Sequence, residues 1–254
     1  MPSYDTNYGA KRAREARQRL GLDPVAPLRC ILTTVEEAAG VPVVVADLGE
    51  GIGGSCWHRG ERLLIWVNGT HAPVRQRFTL AHELGHCFCN HDDRALAVDT
   101  FETLSGVATE SREVQANAFA AEFLAPADAV RPLAGGDPGL DEVVEIGAHF
   151  GISSLAALFR LGTLRIVAGE RTEALRALVD SDAHAEAWER LGLAPREDGL
   201  ASVFREGPLP RIPAALADTA LGALARGDAS VEATAGAAGV DPARIAAAAQ
   251  LVGR

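Results

Sequence analysis

The clearest pattern of apolar and polar positions in the chain is a helical repeat around residues 78–88. Pro73 suits the first turn of such a helix, where its missing N–H is not needed. Gly85 costs about 1 kcal/mol relative to alanine inside a helix, so we expect another segment of the chain to pass close to it. Apolar side chains recur every three or four residues, as in the buried stripe of an amphipathic helix; they are Phe78, Ala81, Leu84 and Phe88.

Before this helix, the pattern predicts two helices and a small sheet. The helices cover residues 9–20 and 28–39, after a loose tail at 1–8. Basic side chains of the first helix are expected to form a solvated face; they are Lys11, Arg12, Arg14, Arg17 and Arg19. Apolar runs bounded by turn residues predict strands at 41–46, 55–58 and 62–68. The last two form a hairpin, so the sheet should be mostly antiparallel, and an exposed edge could hold an extended peptide.

Two stretches near the central helix are predicted to be loops. Residues 49–54 are rich in glycine but lack the Gly-Lys-Ser/Thr of a phosphate loop, so we expect a flexible connection. Residues 92–109 are polar and lead to a second helix, which Thr109 or Ser111 can cap and Pro126 ends.

The remaining elements are predicted to be helical. Residues 139–167 resemble a helix-turn-helix, but the second helix offers only Arg160 and Arg165 as basic side chains. A helix that reads DNA presents basic and amide groups to base edges, so we expect this one to pack against the preceding domain instead. A Gly/Pro-rich boundary lies at 207–213. Ala-rich helices follow it, at 214–226, 230–238 and 242–252.

These elements predict an α+β fold with three regions. Residues 1–167 form the main domain and include the helix-turn-helix-like end. Residues 168–206 form a helical connector, and residues 207–254 form an Ala-rich helical segment.

Composition narrows the possible functions. The formal net charge of −10 argues against general electrostatic binding of nucleic acids, and no apolar run approaches the roughly 18 residues of a membrane span. Cysteines are expected to be buried as small hydrophobic residues, the alternatives being a disulfide or a zinc-binding role for Cys89. Together with the missing signal peptide, cysteine usage favours the reducing cytoplasm. The cysteines are Cys30, Cys56, Cys87 and Cys89.

The central helix carries a His-Glu-x-x-His motif formed by His82, Glu83 and His86. Residues four apart lie on the same face of a helix, so the two imidazoles can reach one metal ion. Glu83 is too close to His82 in sequence to serve easily as a third ligand. It is well placed to accept a proton from a metal-bound water, as in zinc hydrolases.

A zinc site needs a third protein ligand, and Glu113 in the second helix is the best candidate. Spacing alone does not separate it from Glu110 or Glu122. Asn117, one turn after Glu113, either supports a metal ligand or bonds the local backbone. Three further histidines near the motif could donate a hydrogen bond to a reaction intermediate, and none is assigned that role; they are His58, His71 and His91.

Two stretches, RQRFTLAHELGH at 75–86 and EVQANAFAAEFLAP at 113–126, resemble the ImmA/IrrE family of zinc metallopeptidases. The similarity is close over about residues 60–130 and looser over 25–165. It implies a zincin-like peptidase domain within residues 1–167, with Glu83 as the catalytic base and Zn²⁺ as the cofactor. The implied substrate is a helix-turn-helix transcriptional repressor, whose cleavage would switch on stress or mobile-element genes. The implied zinc ligands are His82, His86 and Glu113.

The sequence therefore predicts a cytoplasmic zinc-dependent endopeptidase that does not associate with membranes. The alternative is a zinc-containing regulatory or interaction module that binds a transcription factor or DNA without cutting. The acidic charge weighs against DNA, and the presence of Glu83 weighs against a peptidase fold that has lost catalysis.

Overall fold

A computed structural model describes residues 3–59, 62–91, 97–100, 110–193 and 211–238, together with 242, 243 and 246. The predicted last helix at 242–252 lies almost wholly outside the described residues. The same is true of most of the boundary at 207–213.

The described residues form a small sheet surrounded by helices, which confirms the α+β class. The elements in chain order are α1 (Tyr4–Arg19), α2 (Ile31–Thr33) with a π-helical continuation (Thr34–Ala38), β1 (Val43–Ala46), β2 (Ile52–Arg59), β3 (Arg62–Asn68), α3 (Pro73–Phe88), β4 (Ala97–Thr100), α4 (Ser111–Leu124), α5 (Ala127–Ala134), α6 (Leu140–Phe150), α7 (Ser154–Thr163), α8 (Glu170–Val179), α9 (Asp182–Arg190), α10 (Ala214–Ala225) and α11 (Val231–Ala238).

The sheet has the strand order β1-β3-β2-β4. The predicted hairpin is confirmed, since β2 and β3 pair antiparallel with Cys56 opposite Ile65. β1 pairs with β3 in parallel, and β4 pairs with β2 antiparallel. β4 lies in the stretch that we expected to be a loop; a strand of four residues is stabilised by its partner more than by its own pattern. Because β4 pairs with the outer edge of β2, β4 is the edge strand on that side of the sheet among the described residues.

The first helix begins earlier than predicted, because residues 4–8 are helical and not a loose tail. Ser3 caps α1 by accepting a hydrogen bond from the N–H of Thr6. The expected solvated face is also incomplete, since Arg17 is only 2% exposed. Its guanidinium donates to the carbonyl oxygens of Phe123 and Ala26, each at 2.6 Å. Arg17 thus joins α1 to the end of α4 and to the loop that follows α1.

The central helix α3 is buried almost all round. Pro73 occupies its first turn as predicted, and the helix packs against β2, β3 and α4. The polar residues Gln76 and Thr79 are buried along with the apolar stripe. Gly85 faces α4 so closely that a Cβ there would lie 3.0–3.1 Å from atoms of Phe119. The expected close approach at Gly85 is therefore present, and it sets the distance between the two helices.

The helix-turn-helix-like segment consists of α6 and α7, separated at Gly151, whose φ of 65° ends α6. α7 contacts the end of α4 through Arg160, which is buried. Its Nε donates to the carbonyl oxygen of Ala125 at 2.9 Å, and its guanidinium pairs with Glu122. The guanidinium of Arg160 is therefore occupied by contacts with Ala125 and Glu122 inside the protein.

Among the described residues, no single helix has the length and apolar character needed to cross a membrane. The pair formed by α6 and α7 meets that test only when taken together, and a bend of 105° separates the two helices.

Candidate metal centre

Three side chains from two helices converge on one point. The Nε2 atoms of His82 and His86 are 2.9 Å apart. Oε2 of Glu113 lies 3.2 Å from the first nitrogen and 3.6 Å from the second. Tetrahedral zinc with ligands at about 2.0–2.1 Å requires ligand atoms about 3.3 Å apart. The three buried side chains therefore have the donor types and the spacing to hold one metal ion.

The two other candidates for third ligand are placed elsewhere. Glu110 precedes α4 and is exposed. Glu122 lies near the other end of the helix, where it pairs with Arg160 and, at 3.2 Å, with Arg14. Of the three glutamates that the spacing left open, the described structure brings only Glu113 to the histidines.

Hydrogen bonding sets the tautomer of His82. Nδ1 of His82 lies 2.9 Å from Oδ1 of Asn117. Since an amide oxygen only accepts, Nδ1 carries the proton and donates it to Asn117. The lone pair of His82 is then on Nε2, the atom that faces His86 and Glu113, which is the arrangement that metal-binding histidines require. Of the two roles left open for Asn117, the structure shows contact with a candidate metal ligand.

A longer chain of hydrogen bonds sets the tautomer of His86. Gln115 donates from Nε2 to the carboxylate of Asp5 at 2.6 Å, so its Oε1 accepts from Nε2 of His91 at 3.0 Å. Nδ1 of His91 is then an acceptor, and it receives the Nδ1–H of His86 at 2.8 Å. This leaves the lone pair of His86 on Nε2, toward the candidate metal position. Ser111 also donates to Asp5 at 2.6 Å, and these two bonds lower the pKa of Asp5.

The electrostatics of the site favour a charged carboxylate at Glu113. Burial raises the pKa of Glu113, whereas hydrogen bonds and positive charge from His82 and His86, when those rings are protonated, outweigh burial and lower the pKa well below its usual value. Positive charge at this point therefore stabilises the carboxylate, and with neutral rings a bound cation would supply that charge.

Glu83 is fully buried on α3, next to the sheet. Its Oε1 would lie 2.8 Å from a Cβ placed on Gly54 in β2. Thr79, one turn earlier on α3, approaches the same point, with its Cγ2 at 2.5 Å. Gly54 thus leaves the room that the Glu83 carboxylate occupies, and the expectation of a flexible glycine loop is wrong at this position.

The cysteines take no part in the candidate metal group. Cys89 belongs to the hydrophobic core, and burial raises the pKa of its thiol to about 12. Cys56 and Cys87 approach each other with their sulfur atoms 3.5 Å apart, and all four cysteines are free thiols. The expectation of small hydrophobic residues is confirmed for Cys56 and Cys89, which are buried, while Cys87 and Cys30 are partly exposed.

Sequence reasoning named His82, His86, Glu113 and Asn117 but missed the chain behind His86. His91 lies three residues after the end of α3, and Asn90 just before it has a φ of 58°, which turns the backbone back toward the helix. An Asn at a helix end followed by His is the signal that could have indicated this return. His71 is outside the candidate metal group, and the side chain of His58 lies outside the described part of the chain.

Comparison with known families places this site in a recognised domain. A comparison with curated proteins finds no match. The model of the Peptidase_M78 family, described as the IrrE N-terminal-like domain, matches residues 36–162. The match includes α3 and α4, and hence all three candidate metal ligands and Glu83. The chain therefore belongs to the Peptidase_M78 family of IrrE N-terminal-like domains.

Proposed function

We propose that this chain is a zinc-dependent endopeptidase. The observation that carries the proposal is the convergence of two imidazole nitrogens and one carboxylate oxygen beside a buried glutamate, in a domain of a peptidase family. Two imidazoles and a carboxylate suit zinc. Bound zinc acts as a Lewis acid that polarises a carbonyl and lowers the pKa of its coordinated water to about 7.

The protein groups have separate roles in this proposal. His82, His86 and Glu113 hold the metal, and Asn117 and His91 fix the histidine tautomers. Glu83 accepts the proton of the attacking water and returns it to the nitrogen of the leaving amine. Its position one residue after His82 would bring it close to a metal held by that histidine without making it a ligand.

The proposed substrate is a helix-turn-helix transcriptional repressor, whose cleavage releases stress or mobile-element genes. This follows from the resemblance to the ImmA/IrrE family. The proposed location is the cytoplasm, in keeping with four free thiols. The net charge of −10 favours a protein partner over direct contact with nucleic acid.

The experiment compares new protein N-termini in cells that express the wild type or Glu83→Gln, at rest and under stress. Both proteins must contain about one zinc ion per chain, because the variant keeps all three ligands. Glu37→Gln is the matched control, since Glu37 is exposed and lies outside the site.

We expect new termini within a repressor in the wild type and in Glu37→Gln, but not in Glu83→Gln. Cleavage by Glu83→Gln at the wild-type rate would refute the assigned role of Glu83. No difference among the three strains would favour a zinc-containing binding module that does not cut.

A further inference from the structure

A cavity of about 870 Å³ lies among five helices, on the side of α4 that faces α1 and α7. Its walls come from α1, the first half of α3, α4, α5 and α7. Much of the lining is apolar, and Phe159 of α7, which is 40% exposed, contributes to it. Other apolar side chains that line the cavity are Val74, Phe78, Ala121 and Leu155.

The cavity is distinct from the candidate metal centre. His82, Glu83, His86 and Glu113 are all absent from its lining. Asn117 lines it, and Asn117 contacts Nδ1 of His82, the ring nitrogen opposite the one that faces the metal position. The cavity therefore lies behind the metal centre, separated from it by Asn117 and the imidazole of His82.

The polar part of the lining is strongly basic. It contains five arginines and one acidic residue, Glu122, in a protein whose net charge is −10. Glu122 is already paired with two of the arginines, Arg14 and Arg160. The arginines are Arg14, Arg75, Arg131, Arg160 and Arg165.

Several positive charges lie close enough together around this cavity to repel one another. Burial lowers the pKa of Arg160, Glu122 opposes that shift, and the positive charges of Arg14 and Arg131 lower the pKa further. An anion in the cavity would relieve this repulsion, and a guanidinium is well suited to bind a carboxylate, sulfate or phosphate group.

We propose that this cavity binds a small organic anion with an apolar body. Its volume is within the range of about 300–1,000 Å³ that is typical of small-molecule sites, and such sites combine apolar walls with a few orienting polar groups. The apolar body packs against Phe78, Phe159 and Leu155, and the anionic group meets Arg131 and Arg165 at the exposed side. The proposal is independent of peptidase activity.

The test uses two fluorescent probes with the same apolar body. 1-Anilinonaphthalene-8-sulfonate carries one anionic group, and N-phenyl-1-naphthylamine has the same rings without it. Both are titrated into the folded full-length chain, and the ratio of the two dissociation constants measures the contribution of the charge. We expect the sulfonate to bind at one site per chain, with an affinity that falls as salt increases.

The variant Arg131→Gln/Arg165→Gln removes two exposed charges from the cavity. We expect it to weaken binding of the sulfonate about 2- to 30-fold, the range that corresponds to two exposed charge pairs, and to change binding of the neutral probe less than twofold. The control, Arg29→Gln/Arg176→Gln, removes the same charge from exposed positions outside the cavity. It should leave both dissociation constants within twofold of the wild type.

A second variant, Ala121→Phe, fills the cavity from α4 and should abolish binding of both probes. Unchanged binding of the sulfonate by the double arginine variant, or an equal loss in the control variant, would overturn the proposal. If Ala121→Phe unfolds the chain, the arginine variants still test the proposal. The substituted arginines are at the surface, so we expect these variants to have the melting temperature of the wild type.

Discussion

Substitution of Gly54 by alanine tests the placement of α3, which carries Glu83, against the sheet. A Cβ at Gly54 would lie 2.5 Å from Cγ2 of Thr79, 2.8 Å from Oε1 of Glu83 and 2.9 Å from the carbonyl oxygen of Trp66. The first two atoms belong to α3 and the third to the backbone of β3. The new methyl group is therefore caught between a helix and a strand, and β2 or α3 must move.

The expected cost follows from overpacking, which typically destabilises a protein by about 1–3 kcal/mol. In a chain of this size each kcal/mol shifts the melting temperature by roughly 2–4 °C, so we expect Gly54→Ala to lower it by roughly 2–12 °C. Displacement of a catalytic group by about 1 Å can reduce the rate about 100-fold. Because no ligand changes, zinc content should remain near one ion per chain while cleavage falls.

The assay measures thermal unfolding and zinc content of the purified chain, and cleavage of the substrate that the N-terminal comparison identifies. The control is Gly162→Ala in α7, where a Cβ would meet no atom within 4 Å. Its melting temperature should stay the same or rise slightly, because alanine is favoured over glycine in a helix by about 0.5–1 kcal/mol.

A double variant tests whether the new methyl group at position 54 collides with Cγ2 of Thr79. Thr79→Ser removes Cγ2, the atom closest to the new methyl group, so Gly54→Ala/Thr79→Ser should be more stable than the sum of the two single effects predicts, by about 1 kcal/mol. Wild-type stability and activity in Gly54→Ala would show that the close packing of Glu83 against β2 is not as described.

Three further predictions concern the metal centre and its support. His86→Ala should bind less than about a tenth of one zinc ion per chain by elemental analysis, because a site with two protein ligands is too weak, whereas His149→Ala should keep full occupancy. Gln115→Met keeps the side-chain length but removes the acceptor for His91, and should weaken zinc binding about 10- to 100-fold in a chelator competition; an unchanged affinity would exclude the hydrogen-bond chain. The pKa of Asp5 is lowered in the folded chain, so its contribution to stability is present above its unfolded pKa and is lost as pH falls through the folded value. Asp5→Asn should therefore lower the melting temperature at neutral pH, and the difference from the wild type should disappear as the pH falls through the lowered pKa of Asp5.

The features that could be predicted from the sequence are mostly local. α3 is specified by an apolar repeat and by Pro73, and the hairpin by two apolar runs around a turn, so each could be placed without knowing its neighbours. The histidine pair of the metal site is equally local, because helix geometry alone puts His82 and His86 on one face. The structure adds that α3 is buried on its polar face too, which is the consequence of placing a metal site inside the domain.

The features that could not be predicted depend on contacts between distant segments. Glu110, Glu113 and Glu122 lie in or next to one helix, and only the packing of α4 on α3, set by Gly85 against Phe119, selects Glu113. β4 exists through its pairing with β2. The role of Gly54 depends on a carboxylate that is far away in sequence. None of these leaves a periodic pattern in its own segment.

The first helix shows how far the metal centre extends beyond the matched family domain. The match begins at residue 36, yet the hydrogen-bond chain behind His86 ends at Asp5 in α1. α1 also lies so close to α4 that a Cβ at Gly9 would be 2.1 Å from the carbonyl oxygen of Gln115, the residue that links Asp5 to His91. The absent side chain at Gly9 thus allows the approach that brings Asp5 to Gln115. Three helices therefore support the candidate metal centre, and α1 helps to orient one of its candidate ligands, His86, although it contributes none.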